Sequence, residues 1–421
     1  MHKLDRHMRI GIIGAGMSGA SAAHYLKQKG YTRITLLEKD DSAGGKCHSI
    51  HYRGRTYEMG ALIGLPTSRH TIELMKEYGL EEKGPLLERG FFDNEGRKIS
   101  QIPVGLVQEF AKEFKRLPQL LGRYQKLQEP GFLGLPPELC RPFAEWCDEN
   151  GLPVTMEVFR HYFSTFGFGS VENTPAAYVL KFLSYENLLS FIEITHMITW
   201  PSGVRELIRR MADRIEDLRL TCEVRRMEPQ SSGEIRVETD HEAFTFDKVI
   251  YTGPMHQLGR LLDLPPEDVE LLSLIRHERF RVYAYSVRDL PPHSGYLPEN
   301  LQPGRNGDMM AWYYRWKSRE ANDLVTIYVM ENEKLSDAEI RENIEATLKR
   351  LGGTSIRLFM MKSWLHFPHV GAEALRSGFY ERLDRLQGQR GIYYAGELFN
   401  FPTLERCAAY SKHLVERFFS E

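Results

Sequence analysis

The hydrophobic pattern begins with two short apolar runs separated by a helical stretch. Ile10–Ile13 predicts a buried strand, the pattern from about Ser18 to Lys29 predicts a helix, and Ile34–Leu37 predicts a second strand that ends at the acidic Glu38. Short apolar runs bounded by turns are typical of strands that are buried on both faces of a parallel sheet. The order of these elements predicts a β-α-β unit.

Three glycines, Gly14, Gly16 and Gly19, lie between the first strand and the helix at the spacing G-x-G-x-x-G. In this spacing the first glycine permits a tight turn, the second lets the backbone approach a pyrophosphate, and the third lets the helix pack closely on the strand. The helix N-terminus near Ser18 offers free N–H groups to an anion, and Glu38 is placed to bind a ribose hydroxyl. The pattern predicts a dinucleotide site, and a purely structural turn is the alternative.

A second glycine pair narrows the identity of the nucleotide. Gly44-Gly45-Lys46 follows the second strand, and the run G-x-x-Y-E-x-G-A follows over 54–61. Nicotinamide dehydrogenases need no glycine pair there, whereas in flavoproteins the chain passes close to the diphosphate and then to the isoalloxazine. We therefore expect FAD.

The region from about 65 to 200 is dominated by helical patterns, and we expect it to form a mostly helical cap. Within it, Val104 to about Leu127 is amphipathic, with basic residues on the polar side at Lys112, Lys115, Arg116, Arg123 and Lys126. A basic amphipathic helix can lie on a membrane surface. A cap helix whose apolar face covers a site is the favoured interpretation.

The second half of the chain alternates strands with a few helices. A helix is expected from Pro201 to about Leu218, and a capping box of Ser336 and Glu339 predicts the start of another. Strands are expected at Glu223–Met227, Glu234–Glu238, Ala243–Phe246, Lys248–Thr252, Phe280–Val287, Met309–Tyr314, Leu324–Met330 and Ile356–Lys362. The predicted fold class is α/β, with a Rossmann-type FAD domain formed by 8–64, 201–260 and 385–421. Residues 261–384 would form a substrate domain with a mixed sheet and a helix.

The last segment returns to the nucleotide domain. An apolar strand from Gly391 ends at Gly396-Glu397, and a helix follows from about Leu404 to Phe419. A carboxylate at such a strand end can bind ribityl hydroxyls, and the positive end of the helix can face the flavin N1/O2 edge. The candidate cofactor-binding residues are Gly14, Gly16, Ser18, Gly19, Glu38, Lys39, Gly45, Lys46, Gly60, Ala61, Val224, Gly396, Glu397 and Leu404.

Composition excludes several other classes of protein. The 421 residues carry a net charge of −2 and are 42% hydrophobic, which does not indicate a nucleic-acid partner. No apolar run approaches the ~18 residues of a membrane span. The five cysteines are scattered and predict neither disulfides nor a metal site. We expect a cytoplasmic monomer or homodimer that has no signal peptide.

These motifs resemble the flavin amine oxidase superfamily. A more specific resemblance, to bacterial polyenoic fatty acid isomerases, is carried by GGKCHS at 44–49, GRTYEMGA at 54–61, PAAYVLK at 175–181, FPHV at 367–370, YAGE at 394–397 and YSK at 410–412. That family moves a double bond of linoleate-type acids to give a conjugated product. The resemblance implies that a bis-allylic carbon gives hydride to flavin N5, which returns it further along the chain. No protein base is then required.

The same resemblance implies two substrate-binding residues. Arg89 would hold the carboxylate of a free polyunsaturated fatty acid, and Phe191 would close the tail entrance. The alternatives are a surface salt bridge of Arg89 with Glu88 or Glu82, and ordinary core packing of Phe191. Downstream of Phe191 the chain departs from the family. Glu193 and His196 there would alter chain-length specificity or regiospecificity, or simply lie on a helix surface.

Two further aromatic residues, Phe168 and Trp364, are candidates for lining an apolar tunnel, with plain core packing as the alternative. A covalent flavin link is not expected, because no cysteine lies between Met360 and Gly391. A lipid substrate would also be compatible with peripheral membrane contact by the cap.

Two other functions stay open. An amine oxidase or dehydrogenase usually has a lysine on a strand of the substrate domain, but Phe280–Val287 contains Arg281 and no lysine. A non-catalytic flavoprotein or lipid carrier is the other alternative.

Overall fold

The computed structural model describes residues 5–81, 88–193, 197–316 and 323–420. Within these ranges the strands, numbered in chain order, are β1 Ile10–Ile13, β2 Ile34–Leu37, β3 Ser49–Tyr52, β4 Arg55–Glu58, β5 Arg89–Phe92, β6 Lys98–Ile99, β7 Asp217–Arg219, β8 Val224–Pro229, β9 Ile235–Thr239, β10 Ala243–Phe246, β11 Lys248–Tyr251, β12 Arg276–Arg288, β13 Ser294–Tyr296, β14 Ala311–Tyr314, β15 Val325–Met330, β16 Thr354–His369 and β17 Ile392–Tyr394.

The α-helices of the described residues are α1 Met17–Gln28, α2 Arg69–Glu77, α3 Val107–Leu121, α4 Phe143–Glu149, α5 Pro153–Thr165, α6 Ala176–Phe182, α7 Tyr185–Ile192, α8 Val204–Ala212, α9 Pro266–Ser273, α10 Asp337–Arg350, α11 Ala372–Arg376, α12 Phe379–Asp384, α13 Glu397–Asn400 and α14 Leu404–Phe418. Short 3₁₀ helices lie at Val104–Leu106, Gly122–Gln128, Pro137–Cys140, Met255–Arg260, Pro298–Leu301 and Gln389–Gly391.

A five-stranded parallel sheet forms the nucleotide-binding half, in the order β17-β11-β1-β2-β7. The central strand β1 pairs with both β2 and β11, and its four residues are buried. Burial on both faces explains why β1 is apolar at every position. Because the strands are parallel, their carboxyl ends share one edge, and this edge brings Gly14, Glu38, Thr252 and Gly396 together. The predicted α/β class with a Rossmann-type nucleotide-binding sheet is confirmed.

A seven-stranded sheet forms the other half, in the order β16-β12-β15-β14-β13-β5-β6. All its pairs are antiparallel except β13 with β5. Helix α10 packs on it through Ile340, Ile344 and Leu348, which are fully buried, and begins with the predicted capping box of Ser336 and Glu339. Strands β5 and β6 come from the region expected to be a helical cap, so that region is not wholly helical. The division of the chain into domains stays a prediction.

Two sequence expectations are corrected by the structure. The helix predicted from Pro201 to Leu218 ends at Ala212, and β7 instead pairs with β2 at the sheet edge. Strand β16 runs on to His369 because it pairs with β12 over most of its length. The apolar face of α3 packs inward through Leu117 and Leu120, in keeping with the favoured interpretation of this segment as a cap helix.

Candidate functional site

A single continuous cavity of about 1300 Å³ runs from the edge of the parallel sheet to the aromatic face of the seven-stranded sheet. Thirteen of the predicted cofactor residues line it, namely Gly14, Gly16, Ser18, Glu38, Lys39, Gly45, Lys46, Gly60, Ala61, Val224, Gly396, Glu397 and Leu404. Gly19 lies behind this wall, where a Cβ would come within 1.8 Å of the Gly14 carbonyl oxygen. A glycine is needed at this position because helix α1 packs closely against the turn that follows β1.

The Glu38 carboxylate is fixed by backbone donors at one end of the cavity. Glu38 is 6% exposed, and it accepts hydrogen bonds from the backbone N–H of Ala15 at 2.7 Å and of Asp40 at 3.0 Å. Each carboxylate oxygen still has a lone pair available. The group is therefore oriented to accept further hydrogen bonds, for example from ribose hydroxyls.

Two glycine-rich turns approach each other at the centre of the cavity. Gly14 has φ +98° and Gly45 has φ +57°, a backbone region that favours glycine. A Cβ on Gly45 would lie 3.0 Å from the Gly16 Cα, and one on Gly60 would lie 1.9 Å from the Lys46 carbonyl oxygen. Side chains at these positions would push the backbone segments apart. The absence of a Cβ therefore lets these segments pack closely where they line the cavity.

Beyond the glycine turns, the cavity passes a short ion pair and a helix end. Lys46 Nζ lies 2.5 Å from Glu397 Oε2, and both side chains are half-buried. Helix α14 begins at Leu404, capped by the Thr403 hydroxyl, which accepts from the Arg406 N–H. Its dipole places partial positive charge at the cavity wall.

The far end of the cavity is an aromatic chamber, lined by Phe166, Phe168, Phe182, Phe191, Phe280, Tyr328 and His366. The ring centroid of Phe168 lies 4.9 Å from that of Phe182 and 5.1 Å from that of His366. The ring centroids of Phe182 and Phe191 are 5.7 Å apart. Trp364 also lines the cavity and donates its indole N–H to the Met59 carbonyl at 2.6 Å. The structure thus brings Phe168, Phe191 and Trp364 to one cavity. Their roles in substrate binding stay predictions.

The chamber wall carries little charge. Burial lowers the pKa of His366 to about 3, so its imidazole is neutral at physiological pH. His277, which also lines the cavity, has its pKa lowered to about 3 mainly by burial. Among the described residues, no group of His, Cys, Asp or Glu side chains could hold a metal ion.

Arg89 lies directly behind Phe191 and outside the cavity lining. It is 9% exposed, and it donates to the Tyr296 hydroxyl and to the Phe191 carbonyl, each at 2.9 Å. Its guanidinium carbon is 5.7 Å from the centre of the Phe191 ring. Glu88 lies 3.0 Å from His293 instead, and no ion pair joins it to Arg89 in the described structure. The other predicted partner, Glu82, lies outside the described residues, as does His196.

The family model for flavin containing amine oxidoreductases matches residues 17–402. The chain belongs to this family. A crystal structure of a CLA-producing fatty acid isomerase from P. acnes superposes with a TM-score of 0.94 at 31% identity, over 99% of this chain and 100% of that one. The chain is therefore similar to a fatty acid isomerase along nearly its whole length.

Two curated relatives match the chain over short segments. Human prenylcysteine oxidase 1 is 38% identical over 74 residues, which are 17% of this chain and 14% of that protein. Polyenoic fatty acid isomerase of Ptilota filicina is 34% identical over 71 residues, again 17% and 14%. The aligned segments thus span only a small part of these relatives, and they do not by themselves transfer an activity.

The cavity fits the flavin that this family contains. Glu38 can hold a ribose, the turns at Gly16 and Gly45 leave room for a diphosphate, and Glu397 can bind ribityl hydroxyls. The flavin ring would then lie between Gly60 and the aromatic chamber. Among the described residues, no helix has both the length and the apolar character needed to cross a bilayer.

Several residues at the site escaped sequence reasoning. Tyr296 accepts hydrogen bonds from Arg89 and from the Tyr313 hydroxyl, the latter at 2.6 Å, although the two tyrosines lie on different strands. Arg406 lines the cavity and donates to the carbonyls of Gln128 and Lys181. Neither arrangement has a signal in residue spacing, because each is created by contacts between distant segments.

Glu58 belongs to the run G-x-x-Y-E-x-G-A at 54–61. Its side chain is fully buried, and burial raises its pKa to about 7 even though nearby Arg315 and two hydrogen-bond donors act in the opposite direction. It accepts hydrogen bonds from the Ser49 hydroxyl and the Val204 N–H, both within 2.9 Å. Glu58 therefore anchors the start of α8 to the β3–β4 hairpin and does not line the cavity.

Proposed function

We propose that this chain is an FAD-dependent isomerase that moves a double bond in a polyunsaturated fatty acid of the linoleate type to give a conjugated product. The observation that carries the proposal is the aromatic chamber, which continues directly from the nucleotide end of the cavity. A long acyl chain needs an apolar channel that leads to the flavin. Similarity to the P. acnes isomerase over the whole chain supports the same substrate class.

The carboxylate of the substrate is assigned to Arg89. Its hydrogen-bond acceptors in the described structure are a hydroxyl and a carbonyl, both uncharged. A carboxylate suits a guanidinium because two charge-assisted hydrogen bonds can form side by side. Because Phe191 lines the cavity and Arg89 does not, Phe191 must move aside before the two charges meet.

The protein supplies orientation and a dry environment for the reaction. A bound flavin supplies reversible hydride acceptance at N5, so that a double bond can move without net oxidation. The chamber walls hold the acyl chain in one path, and neutral His366 adds no charge near it. No side-chain base is needed for this chemistry.

Amine oxidation is disfavoured by the charges around the cavity. Arg281, on β12, forms ion pairs with Glu331 at 2.9 Å and Asp337 at 2.7 Å and does not line the cavity. The described cavity lining contains two lysines, Lys39 and Lys46, and Lys46 forms an ion pair with Glu397. The aromatic chamber also presents no carboxylate to an ammonium group.

We propose that the FAD is held without a covalent bond. Cys47 and Cys407 both line the cavity and are buried. Burial raises the pKa of Cys407 to about 12 and that of Cys47 well above its ordinary value. Both remain neutral thiols, and a thiol is a poor nucleophile compared with a thiolate.

An anaerobic assay tests the function. Purified flavin-loaded protein is mixed with linoleate, and the absorbance of a conjugated diene is followed together with the flavin spectrum. The expected result is steady formation of the diene while the flavin remains mostly oxidised. Hydrogen peroxide release from an amine in air, with no diene from linoleate, would instead establish an amine oxidase. Tight binding of linoleate without turnover would establish a carrier.

A further inference from the structure

An exposed apolar segment lies at residues 99–107, which we call the apolar rim. Ile99, Val104, Leu106 and Val107 are 37%, 84%, 43% and 49% exposed. Single exposed apolar side chains are normal on a protein surface, but four within nine residues form a patch. The rim includes the 3₁₀ turn Val104–Leu106, which immediately precedes α3. It is distinct from the apolar face of α3, which packs inward.

The rim is connected to the cavity wall through a short chain of side-chain contacts. Gln101, within the rim, donates to the Tyr162 hydroxyl at 2.9 Å. Tyr162 stacks on Phe191 with ring centroids 4.7 Å apart, and its hydroxyl contacts the Phe191 carbonyl at 3.2 Å. Since Phe191 lines the cavity, two side chains, Gln101 and Tyr162, link the rim to the end of the cavity assigned to the carboxylate.

Positive charge flanks the rim. Residues 97–126 contain seven Lys and Arg but two Glu. Of these cations, Arg97 is paired with Asp93 and Glu95, and Lys112 lies 3.9 Å from Glu109. The other glutamate of the segment, Glu113, is buried and accepts hydrogen bonds from the Val154 and Thr155 N–H groups. Val107 and Lys115 are two turns apart on one exposed stripe of α3, and the Lys112 side chain is 75% exposed. An apolar tip beside such cations is complementary to an anionic lipid surface.

We propose that the apolar rim inserts into the headgroup region of an anionic membrane and that the cavity receives its lipid there. The identity of that lipid rests on the proposed function, whereas docking of the rim does not. A fatty acid partitions into membranes, so a mouth that lies against the bilayer spares the acyl chain a passage through water. Four side chains are too few for a stable protein interface, but they suit reversible membrane contact.

Flotation with vesicles tests the docking. Flavin-loaded protein is mixed at low salt with vesicles of equal parts phosphatidylglycerol and phosphatidylcholine, and in parallel with phosphatidylcholine alone. We expect the wild type to float with the anionic vesicles only. The double variant Val104→Asp/Leu106→Asp should lose at least about tenfold in vesicle affinity. Val269→Asp is the matched control, since Val269 is also an exposed valine, at 52%, on the distant helix α9. This control should float like the wild type.

Two further measurements separate the alternatives. Lys112→Gln/Lys115→Gln should weaken flotation at low salt while leaving flavin content and the circular dichroism spectrum unchanged. Sedimentation velocity tests whether the rim instead joins two copies of the chain. If the wild type is a dimer and the double aspartate variant is a monomer, the proposal is overturned. Flotation of that variant at wild-type level would overturn it as well.

The docking proposal and the isomerase proposal can be overturned independently of each other. Flotation involves no catalysis, so a protein that floats but makes no conjugated diene retains the docking and loses the isomerase assignment. A protein that isomerises dispersed linoleate but never floats loses the docking alone. If both hold, the double aspartate variant should be slower than wild type on vesicle-borne linoleate and equal to it on dispersed linoleate.

Discussion

Arg89 is a buried residue whose surroundings call for an anionic ligand. A buried guanidinium without a carboxylate partner is costly, because removal of the charge from water is not offset by an ion pair. Its neighbours in the described structure are Tyr296, Phe191 and the ring of Tyr162 at 5.9 Å. A fatty acid carboxylate would supply the missing charge.

Arg89→Ala should raise KM for linoleate by about 10- to 100-fold, the worth of one or two charge-assisted hydrogen bonds. Methyl linoleate, which has no charge, should be handled equally by the variant and the wild type. Steady-state kinetics on both substrates make the comparison. Glu88→Gln is a suitable control, since Glu88 is exposed and lies beside His293. Equal losses on the acid and the ester would contradict the assignment.

His161 should control part of the acid sensitivity of the fold. It is 5% exposed, it packs against Phe91 at 5.1 Å, and burial lowers its pKa to about 4. The unfolded chain takes up a proton near pH 6.5 and the folded protein only near pH 4, so this residue lowers stability progressively as pH falls between those values. The loss amounts to about 3 kcal/mol below pH 4.

The measurement is urea unfolding of wild type and His161→Phe at several pH values. The variant should lose less stability than wild type between pH 6.5 and pH 4, and the two should show parallel behaviour above pH 7. His241→Phe serves as a control because His241 is exposed. A variant whose pH profile matches that of wild type would show that His161 does not titrate as described.

At the scale of elements, the glycine turns define how closely backbone segments approach. Gly60 follows β4 and has no room for a Cβ beside the Lys46 carbonyl. Gly60→Ala should push the two segments apart, with an overpacking cost of about 1–3 kcal/mol. Flavin affinity should then fall by about tenfold or more. Titration of the apoprotein with FAD, followed by flavin fluorescence, measures this.

Gly122→Ala provides the control for that prediction. Gly122 ends α3 with φ −57°, and a Cβ there would meet no atom within 4 Å. The substitution should leave flavin affinity unchanged. If the two variants bind FAD equally well, the close approach at Gly60 does not shape the cofactor site.

Elements with a strong local pattern were predictable from the sequence, and elements made by tertiary pairing were not. The strands β1 and β2 have the bounds that their apolar runs predict, and α10 begins at its capping box. Strand β7 contains Asp217 and Arg219, which have no strand pattern of their own, and it forms by pairing with β2 at the sheet edge. Context of this kind overrides local propensity.

At the scale of the whole molecule, one cavity joins the two sheets. Its nucleotide end is built on the parallel sheet, and its aromatic chamber takes side chains from the turn after α5, from α6 and α7, and from strands β12, β15 and β16. The cavity extends as far as Glu38, which is the place predicted for an adenosine ribose. The length of the cavity therefore favours a dinucleotide over a mononucleotide flavin.

Apoprotein should be stabilised by FAD much more than by FMN. At a hundredfold excess over Kd, FAD should add about 2.7 kcal/mol, whereas FMN cannot reach Glu38. Thermal unfolding with each flavin gives the difference in Tm, and Glu38→Gln should reduce that difference.

Acid precipitation of the flavin-loaded protein should release the flavin unmodified. Flavin that stays with the precipitated chain would contradict non-covalent binding.

The sequence by itself determined the cofactor class and the nucleotide-binding unit, because glycine spacing, a terminal acid and short apolar strands are local features with few alternatives. Tertiary structure alone decided what surrounds the substrate end. Arg89, Tyr296 and Phe191 are 102 to 207 residues apart where they are hydrogen-bonded, and no local pattern records such contacts. Burial decided the neutral state of His366 and the exposure of the apolar rim, because both depend on which segments pack over a residue and not on the residue itself.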